Sequence, residues 1–169
     1  MKQVLLDKVV VNMGVGAEPE EMKKAQLIMQ LITGKKPLQT LCTARIPDWG
    51  LRPGVFIGLK VTLRGQDALD FLKKAFIAKE NRLSEKSLDK TGNLGFGVRE
   101  YIDLPGAKYD PKLGIRGFDV LVSLKKKGYR VKLRKIRQTL VGKKQRVTKE
   151  DAVEFVKGLG VEIIGAERN

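Results

Sequence analysis

Residues 57–64 read Ile-Gly-Leu-Lys-Val-Thr-Leu-Arg, and every second side chain in this stretch is a large apolar one. Successive side chains of a β-strand point to opposite faces, so the alternation predicts a strand with one buried and one exposed face. Lys60, Thr62 and Arg64 would share the exposed face. A sheet with one free polar face is typical of antiparallel architectures.

The sequence before this strand predicts two strands, a helix and a loop. Val and Leu dominate residues 4–13, as expected of a mostly buried strand. Pro19 suits the first turn of a helix, where its missing N–H costs nothing. The predicted elements are a strand at residues 4–13, a helix from Pro19 to Gly34 with Met22, Ala25, Ile28, Met29 and Ile32 inward, a strand at 37–43 and a loop at 47–54.

The sequence after residue 64 predicts a second helix, more strands and a last helix. Thr148 and Asp151 have the spacing of a capping box, which marks the beginning of that last helix. The predicted elements are a helix at 66–77 with Ala68, Leu69, Leu72, Ala75 and Phe76 inward, a polar loop at 79–92, a Gly-rich strand at 93–101, a long loop at 103–117, a strand at 118–124 and a helix after Thr148 with Val153, Val156 and Leu159 inward.

Residues 125–149, the basic segment, contain twelve Lys or Arg and no Asp or Glu. The whole chain of 169 residues carries a net charge of +15. Release of counter-ions drives such segments onto nucleic-acid phosphates. Within it, residues 129–133 alternate apolar and basic side chains, which predicts a strand in a hairpin with 118–124, and 135–146 predict an irregular arm that lacks structure without a partner. The expected phosphate-backbone contacts are Lys125, Lys126, Lys127, Arg130, Lys132, Arg134, Lys135 and Arg137.

The order of strands and helices predicts an α+β fold. We expect a single domain over residues 1–169, with an antiparallel sheet, helices packed on one face and the other face free. Hydrophobic residues make up 42% of the chain, enough for a core that needs neither disulfide nor metal. The basic balance favours a polyanionic partner over a merely solvated surface or an anionic membrane.

Several classes of function are excluded or disfavoured by residues that the sequence lacks. There is no histidine, so Ser-His and Cys-His catalysis and the usual zinc sites are excluded, and we expect no enzyme activity, metal or cofactor. Gly14-Val15-Gly16 is half of a dinucleotide motif, but Pro19 stands at its third glycine. The single cysteine, Cys42, and the absence of any apolar run of membrane-spanning length predict a cytoplasmic protein without a membrane partner.

Five strings in order and spacing resemble one family, the 5S-RNA-binding protein numbered five of the large ribosomal subunit, in its archaeal and eukaryotic branch. The resemblance runs from about Lys8 to Leu159 and so covers nearly the whole chain. The strings are Val-Val-Val-Asn-Met-Gly-Val-Gly at residues 9–16, Lys-Val-Thr-Leu-Arg-Gly at 60–65, Gly-Asn-Leu-Gly-Phe-Gly-Val-Arg-Glu at 92–100, Tyr-Asp-Pro at 109–111 with Gly-Ile-Arg-Gly-Phe-Asp-Val at 114–120, and Gly-Tyr-Arg-Val at 128–131.

The resemblance implies a structural protein of the cytoplasmic ribosome, located in the central protuberance of the large subunit. It also implies that the free face of the antiparallel sheet binds 5S rRNA, with the helices behind it. The implied partners are 5S rRNA, large-subunit rRNA, P-site tRNA and neighbouring ribosomal proteins, including a small-subunit protein in a bridge. The implied 5S rRNA contacts are Asn12, Lys35, Trp49 and Thr62, to which the strand pattern adds Lys60 and Arg64.

Two departures from the family pattern affect these expectations. Lys35 stands where the family commonly has Gln, and Trp49 stands where it has Phe. The loop that corresponds to the tRNA contact, at about residues 40–53, keeps only Arg45 and Arg52 as cations.

The alternative function is a basic DNA-binding or nucleic-acid-compacting protein, and a tRNA-processing enzyme without histidine is more remote.

Overall fold

The computed structural model describes residues 3–165 and has the expected α+β architecture. The strands are β1 (Val4–Gly14), β2 (Leu38–Leu41), β3 (Phe56–Leu63), β4 (Arg82–Ser84), β5 (Leu94–Val98), β6 (Phe118–Lys126) and β7 (Glu162–Ile164). The helices are α1 (Pro19–Thr33), α2 (Gln66–Ala78), α3 (Arg130–Leu133) and α4 (Lys149–Gly158).

Five of the strands form one sheet in the order β2-β3-β1-β6-β5, and the sheet is mostly antiparallel. β2 pairs with β3 so that Leu38 lies opposite Lys60 and Thr40 opposite Gly58. β4 and β7 form a separate parallel pair, with Leu83 opposite Ile163. The two short strands were not predicted, because three residues are too few to show a period of two.

Contacts between residues divide the described chain into two compact units. The first comprises residues 3–9, 64–96 and 121–165, and the second comprises residues 10–63 and 97–120. β1, β5 and β6 each contribute residues to both units. The single domain expected over residues 1–169 stays a prediction.

The core of the second unit lies between α1 and the sheet. Met22, Ala25, Ile28 and Met29 of α1 are buried, as expected except that Ile32 is only half-buried. Leu59 and Val61 of β3 are also buried, so the alternation in this strand has the predicted sense. Gly34 ends α1 in the left-handed conformation, with φ of 67°, and its N–H donates to the carbonyl of Gln30.

The core of the first unit lies around α2. Its buried residues are Ala68, Phe71, Leu72, Ala75 and Phe76, whereas the predicted Leu69 is half-buried. The rings of Phe76 and Phe96 stack with centroids 5.5 Å apart. α4 begins at the predicted capping box, in which Thr148 and Asp151 bond to each other's backbone N–H, and it buries Val156, whereas Val153 and Leu159 are half-buried.

The predicted strand at residues 129–133 is wrong: Arg130–Leu133 form the one-turn helix α3. β6 already has β1 on one side and β5 on the other, so no edge of it is free for a hairpin partner. The backbone therefore bonds to itself, and the N–H of Arg134 donates to the carbonyl of Arg130 at 2.9 Å. Val131 is half-buried and Leu133 is 71% exposed, so no apolar face forms.

The long loop at residues 104–117 folds back against its own unit. Tyr101 is fully buried, and its hydroxyl oxygen accepts the N–H of Asp110 at 3.3 Å. Arg116 forms an ion pair with Glu21 of α1. Along residues 3–165, no helix combines the length and the apolar character needed to cross a membrane.

Candidate nucleic-acid interface

The open sheet face, which consists of Asn12, Leu38, Lys60 and Thr62, lies in the second unit. Lys60 and Thr62 are exposed on β3, while Leu59, Val61 and Leu63 between and beside them are buried. Leu38 is directly opposite Lys60 on β2 and is 62% exposed. Cross-strand partners share a face, so an apolar side chain lies beside the lysine.

Asn12 lies on the same face of the sheet, because β1 is the neighbour of β3. The N–H groups of Val15 and Gly16 both donate to the carbonyl of Ile57, at 3.1 and 3.0 Å. The end of β1 is therefore beside the beginning of β3, which places Asn12 near Lys60 on the neighbouring strand. Asn12 is half-buried and its neighbours Val11 and Met13 are buried, as the alternation requires.

Arg64 follows β3 in the first unit and is exposed, as predicted, but it has an acidic neighbour. Its guanidinium lies 3.7 Å from the carboxylate of Asp7, which also accepts a hydrogen bond from Lys125 Nζ at 2.8 Å. Asp7 therefore offsets part of the charge of two predicted RNA contacts. The sequence reasoning missed this pairing, because Asp7 and Lys125 are distant along the chain.

The middle of the basic segment is exposed to solvent. Residues 132–140 are all exposed, and three apolar side chains, Leu133, Ile136 and Leu140, are 71–82% exposed. The irregular conformation predicted for residues 135–146 is confirmed apart from a 3-10 turn at Lys143–Gln145. Large solvent-exposed apolar side chains among cations are typical of surfaces that a binding partner covers.

The two ends of the basic segment are fastened to each other and to the fold. Gln145 Nε2 donates to the carbonyl of Lys127 at 2.7 Å, which closes the segment into a loop. Val147 is buried against Gly92, whose φ is 75°. A Cβ on Gly92 would overlap Val147, so glycine is required there both by conformation and by space.

Lys126 is set apart from the other predicted phosphate contacts by its burial. It is only 9% exposed, and its Nζ donates to Asp151 Oδ2 at 2.5 Å. This hydrogen bond, together with those from Thr148, lowers the pKa of the Asp151 carboxyl. Lys126 thus fastens the end of β6 to the capping box of α4, and phosphate has little access to it.

Trp49 lies at the tip of a small hairpin in the loop that was expected to touch tRNA. Ile46 and Leu51 exchange both backbone hydrogen bonds at 3.0 Å, and Pro47–Trp49 form a 3-10 turn between them. Trp49 is 73% exposed, and Arg45 and Arg52 beside the hairpin are exposed too. Trp49 and the two arginines therefore belong to the same exposed loop, and the contact of Trp49 with 5S rRNA stays a prediction.

Lys35 lies directly after the end of α1 and is exposed. Its backbone N–H donates a hydrogen bond to the hydroxyl of Thr33 at 3.3 Å. Within residues 3–165, no group of three or more Cys, Asp or Glu side chains is arranged to hold a metal ion.

A mostly antiparallel sheet with an exposed polar face and a cationic segment without acidic residues are together typical of basic α+β proteins that bind polyanionic partners. Two family models match the chain: "Ribosomal protein L5" over residues 1–52 and "ribosomal L5P family C-terminus" over residues 56–155. The chain belongs to the ribosomal protein L5 family.

Similar proteins from archaea agree with this assignment over nearly their full length. The chain is 49% identical over 161 residues to large ribosomal subunit protein uL5 of Archaeoglobus fulgidus, covering 95% of this chain and 90% of that one. It is 48% identical to the protein of the same name from Pyrobaculum aerophilum, covering 96% and 92%. The corresponding protein of Sulfolobus acidocaldarius is 45% identical, covering 93% and 88%.

Proposed function

We propose that this protein is a structural component of the large ribosomal subunit that binds 5S rRNA and large-subunit rRNA in the central protuberance. Relatives named large ribosomal subunit protein uL5 support the ribosomal role, which implies the cytoplasmic ribosome as the place of action and no catalysis by the protein. The observation that carries the RNA assignment is the open sheet face. It leaves Asn12, Lys60 and Thr62 accessible on strands whose other face is fixed by the core.

The two RNA-binding regions have different tasks in this proposal. The open sheet face and Lys35 contact 5S rRNA, because directed hydrogen bonds from a rigid strand can distinguish one RNA surface from another. The basic segment, from Lys125 and Lys127 to Arg137, neutralises phosphates of large-subunit rRNA. We assign Lys126 to the fold instead, because its amine is occupied by Asp151.

The Trp49 hairpin contacts P-site tRNA in this proposal. Its tip offers an aromatic face for stacking, and Arg45 and Arg52 can reach phosphate. Loops on a rigid scaffold often carry binding functions. Neighbouring ribosomal proteins, among them one of the small subunit in a bridge, complete the proposed partners.

The proposal is tested by isolating the protein with its RNA. The tagged chain is purified from a native lysate of cells that express it, with and without ribonuclease, and the bound RNA is sequenced. We expect 5S rRNA to be enriched above its share of total ribosomal RNA, and to disappear from the ribonuclease-treated sample. Recovery of DNA, or of RNA in proportion to its abundance, would instead support a general nucleic-acid-compacting protein.

A further inference from the structure

A cavity of about 510 Å³ opens beside the basic segment in the first unit. Its walls come from β1, β6, the turn before β5 and the basic segment itself. We propose that this cavity, named the Tyr129 cavity after one of its walls, binds a single unpaired nucleotide of a bound RNA. The base lies against the Tyr129 ring and the phosphates lie among Lys8, Lys132 and Arg146. The inference rests on the proposed RNA-binding function and adds a site to it.

The charge of the walls suits a nucleotide phosphate. Lys8, Lys125, Lys132 and Arg146 line the cavity, and Asp7 is its only acidic residue. Asp7 is engaged by Lys125 at 2.8 Å and by Arg64 at 3.7 Å, so its charge is offset by neighbours. Within residues 3–165, no carboxylate pairs with Lys8, Lys132 or Arg146. The cavity therefore holds three cations whose charge an anion can neutralise.

The floor of the cavity carries polar groups that are already oriented. The Ser123 hydroxyl donates to Asn93 Oδ1 at 3.1 Å, and Asn93 Nδ2 donates to the hydroxyl of Thr91 at 2.9 Å. The Thr91 hydroxyl donates in turn to Asp89. Since an amide has two donor hydrogens and a hydroxyl oxygen can also accept, Asn93 and Ser123 keep one donor and one acceptor for a base edge. Unpaired bases are recognised through such hydrogen bonds.

Tyr129 supplies an aromatic wall that is held in place. Its ring is half-buried, and Lys132 Nζ lies 5.5 Å from the ring centroid, a distance typical of a cation–π contact. Bases stack on tyrosine without regard to their sequence. An aromatic ring with a cation over it, in a cavity that is also lined by polar groups, suits an unpaired nucleotide. A paired helix cannot use such a site, because its bases are stacked inside.

The cavity exists before any RNA binds, because the basic segment that walls it is fastened at both ends. Gln145 bonds to Lys127, and Val147 is buried against Gly92. A preformed site avoids much of the entropy cost of ordering a loop on binding. Its volume lies within the range of about 300–1,000 Å³ that is usual for small-molecule sites.

The test measures the affinity of a single-stranded RNA pentanucleotide for wild type, for Tyr129→Ala and for Tyr129→Phe. Tyr109→Ala is the matched control, because Tyr109 is 54% exposed in the other unit and lines no part of this cavity. We expect Tyr129→Ala to weaken binding roughly 5- to 100-fold, as loss of one stacked base does, and Tyr129→Phe and Tyr109→Ala to remain within about twofold. Equal affinities for Tyr129→Ala and Tyr109→Ala would overturn the proposal.

A second measurement does not depend on any variant. Amide resonances of wild-type protein are followed by NMR during titration with the pentanucleotide and, separately, with a ribonucleoside 5′-monophosphate. We expect shifts at Asn93 and Ser123, with the pentanucleotide binding at least about tenfold more tightly because its flanking phosphates meet further cations. Unchanged resonances at both residues would overturn the proposal, and so would a monophosphate that binds as tightly as the pentanucleotide, which would indicate a site for free nucleotides.

Failure of this inference is distinguishable from failure of the proposed function. If wild type selects 5S rRNA but its affinity for the pentanucleotide does not depend on Tyr129, the cavity inference is wrong and the proposed function stands. If wild type shows no preference for 5S rRNA while Tyr129→Ala still weakens pentanucleotide binding, the cavity binds single strands and the proposed function is wrong.

Discussion

β3 and the basic segment both present cations to solvent, but the protein holds those cations in different ways. In β3, Lys60 is on a strand whose other face is buried and whose two neighbours, β2 and β1, fix its position. In the basic segment, residues 132–140 are exposed, and the backbone is held mainly by bonds within the segment and at its ends.

The difference separates selectivity from charge. A rigid strand keeps the distances between its polar groups, so a particular RNA surface either fits or does not fit. An exposed run of cations follows any phosphate backbone, and its contribution depends strongly on salt. We therefore expect changes in β3 to alter the choice of RNA, and changes in the basic segment to alter affinity for every RNA.

The largest effect is expected when charge is removed from the basic segment. Replacing five of its cations by glutamine should weaken binding of all RNAs by about 100-fold or more at moderate salt, because fewer counter-ions are released. The slope of log affinity against log salt should become shallower by about four. The measurement is a salt titration of binding, and the five changes are Arg130→Gln, Lys132→Gln, Arg134→Gln, Lys135→Gln and Arg137→Gln.

A matched control removes the same charge elsewhere. Five exposed lysines of α1, α2 and the following loop are replaced by glutamine, and the slope should change by less than about one. Equal losses in the two variants would mean that net charge, and no particular segment, governs binding. The control changes are Lys23→Gln, Lys73→Gln, Lys74→Gln, Lys79→Gln and Lys86→Gln.

Smaller losses that depend on the RNA are expected on the open sheet face. Asn12→Ala and Thr62→Ala should each weaken 5S rRNA binding by roughly 0.5–2 kcal/mol, as lost hydrogen bonds do, with the salt slope unchanged. Lys135→Ala, in the basic segment, should reduce the slope by about one and weaken all RNAs alike. If Asn12→Ala lowers the melting temperature and leaves the affinity of the folded protein intact, Asn12 only holds the end of the strand.

Asp151→Asn is expected to lower the free energy of unfolding by about 1 kcal/mol. Asp151 holds the end of β6 to the beginning of α4 through its contacts with Lys126 and Thr148. Asp151→Asn removes the charge that caps α4 and that pairs with Lys126. The pKa of Asp151 is lowered below its ordinary value of 3.8 in the folded chain. Its contribution is therefore fully present above about pH 4 and is lost as the pH falls through the folded value.

Urea unfolding at several pH values checks this expectation. The difference in free energy of unfolding between wild type and Asp151→Asn should be largest near neutral pH and should shrink below about pH 4. Glu154→Gln, on an exposed position of the same helix, is the control and should leave stability unchanged. If the difference in free energy of unfolding between the two proteins stays constant down to pH 2, the charge of the Asp151 carboxylate contributes nothing to stability.

The smallest effect is expected in the Trp49 hairpin. The double change Arg45→Gln and Arg52→Gln should weaken P-site tRNA binding to ribosomes by about 1 kcal/mol or less, because both cations are exposed. Affinity for 5S rRNA should stay within about twofold. If 5S rRNA binding falls and tRNA binding is unchanged, the hairpin belongs to the rRNA interface.

The sequence alone was sufficient to predict those strands and helices whose apolar side chains pack into a core. β1, β3, α1 and α2 were predicted close to their observed bounds, because a period of two or of 3.6 reports directly which side chains are buried. The exposure of Lys60, Thr62 and Arg64 followed from the same period.

Residues 129–133 show where that reasoning ends. They alternate as β3 does, but a strand also needs a free neighbouring edge, and β6 has none. Topology of this kind depends on the whole sheet and cannot be seen in five residues. The pairing of Asp7 with Lys125 and the walls of the Tyr129 cavity depend on the same distant contacts, and so the sequence alone could not indicate them.

The central claim, selective binding of 5S rRNA, is tested most directly by one comparison. Affinities of the wild-type protein are measured at the same moderate salt for 5S rRNA, for a shuffled RNA of equal length and composition, and for duplex DNA of equal phosphate number. We predict that 5S rRNA binds about 100-fold or more tightly than either competitor, a modest ratio for specific recognition. Equal affinity for all three would contradict it, because charge alone would then explain the binding.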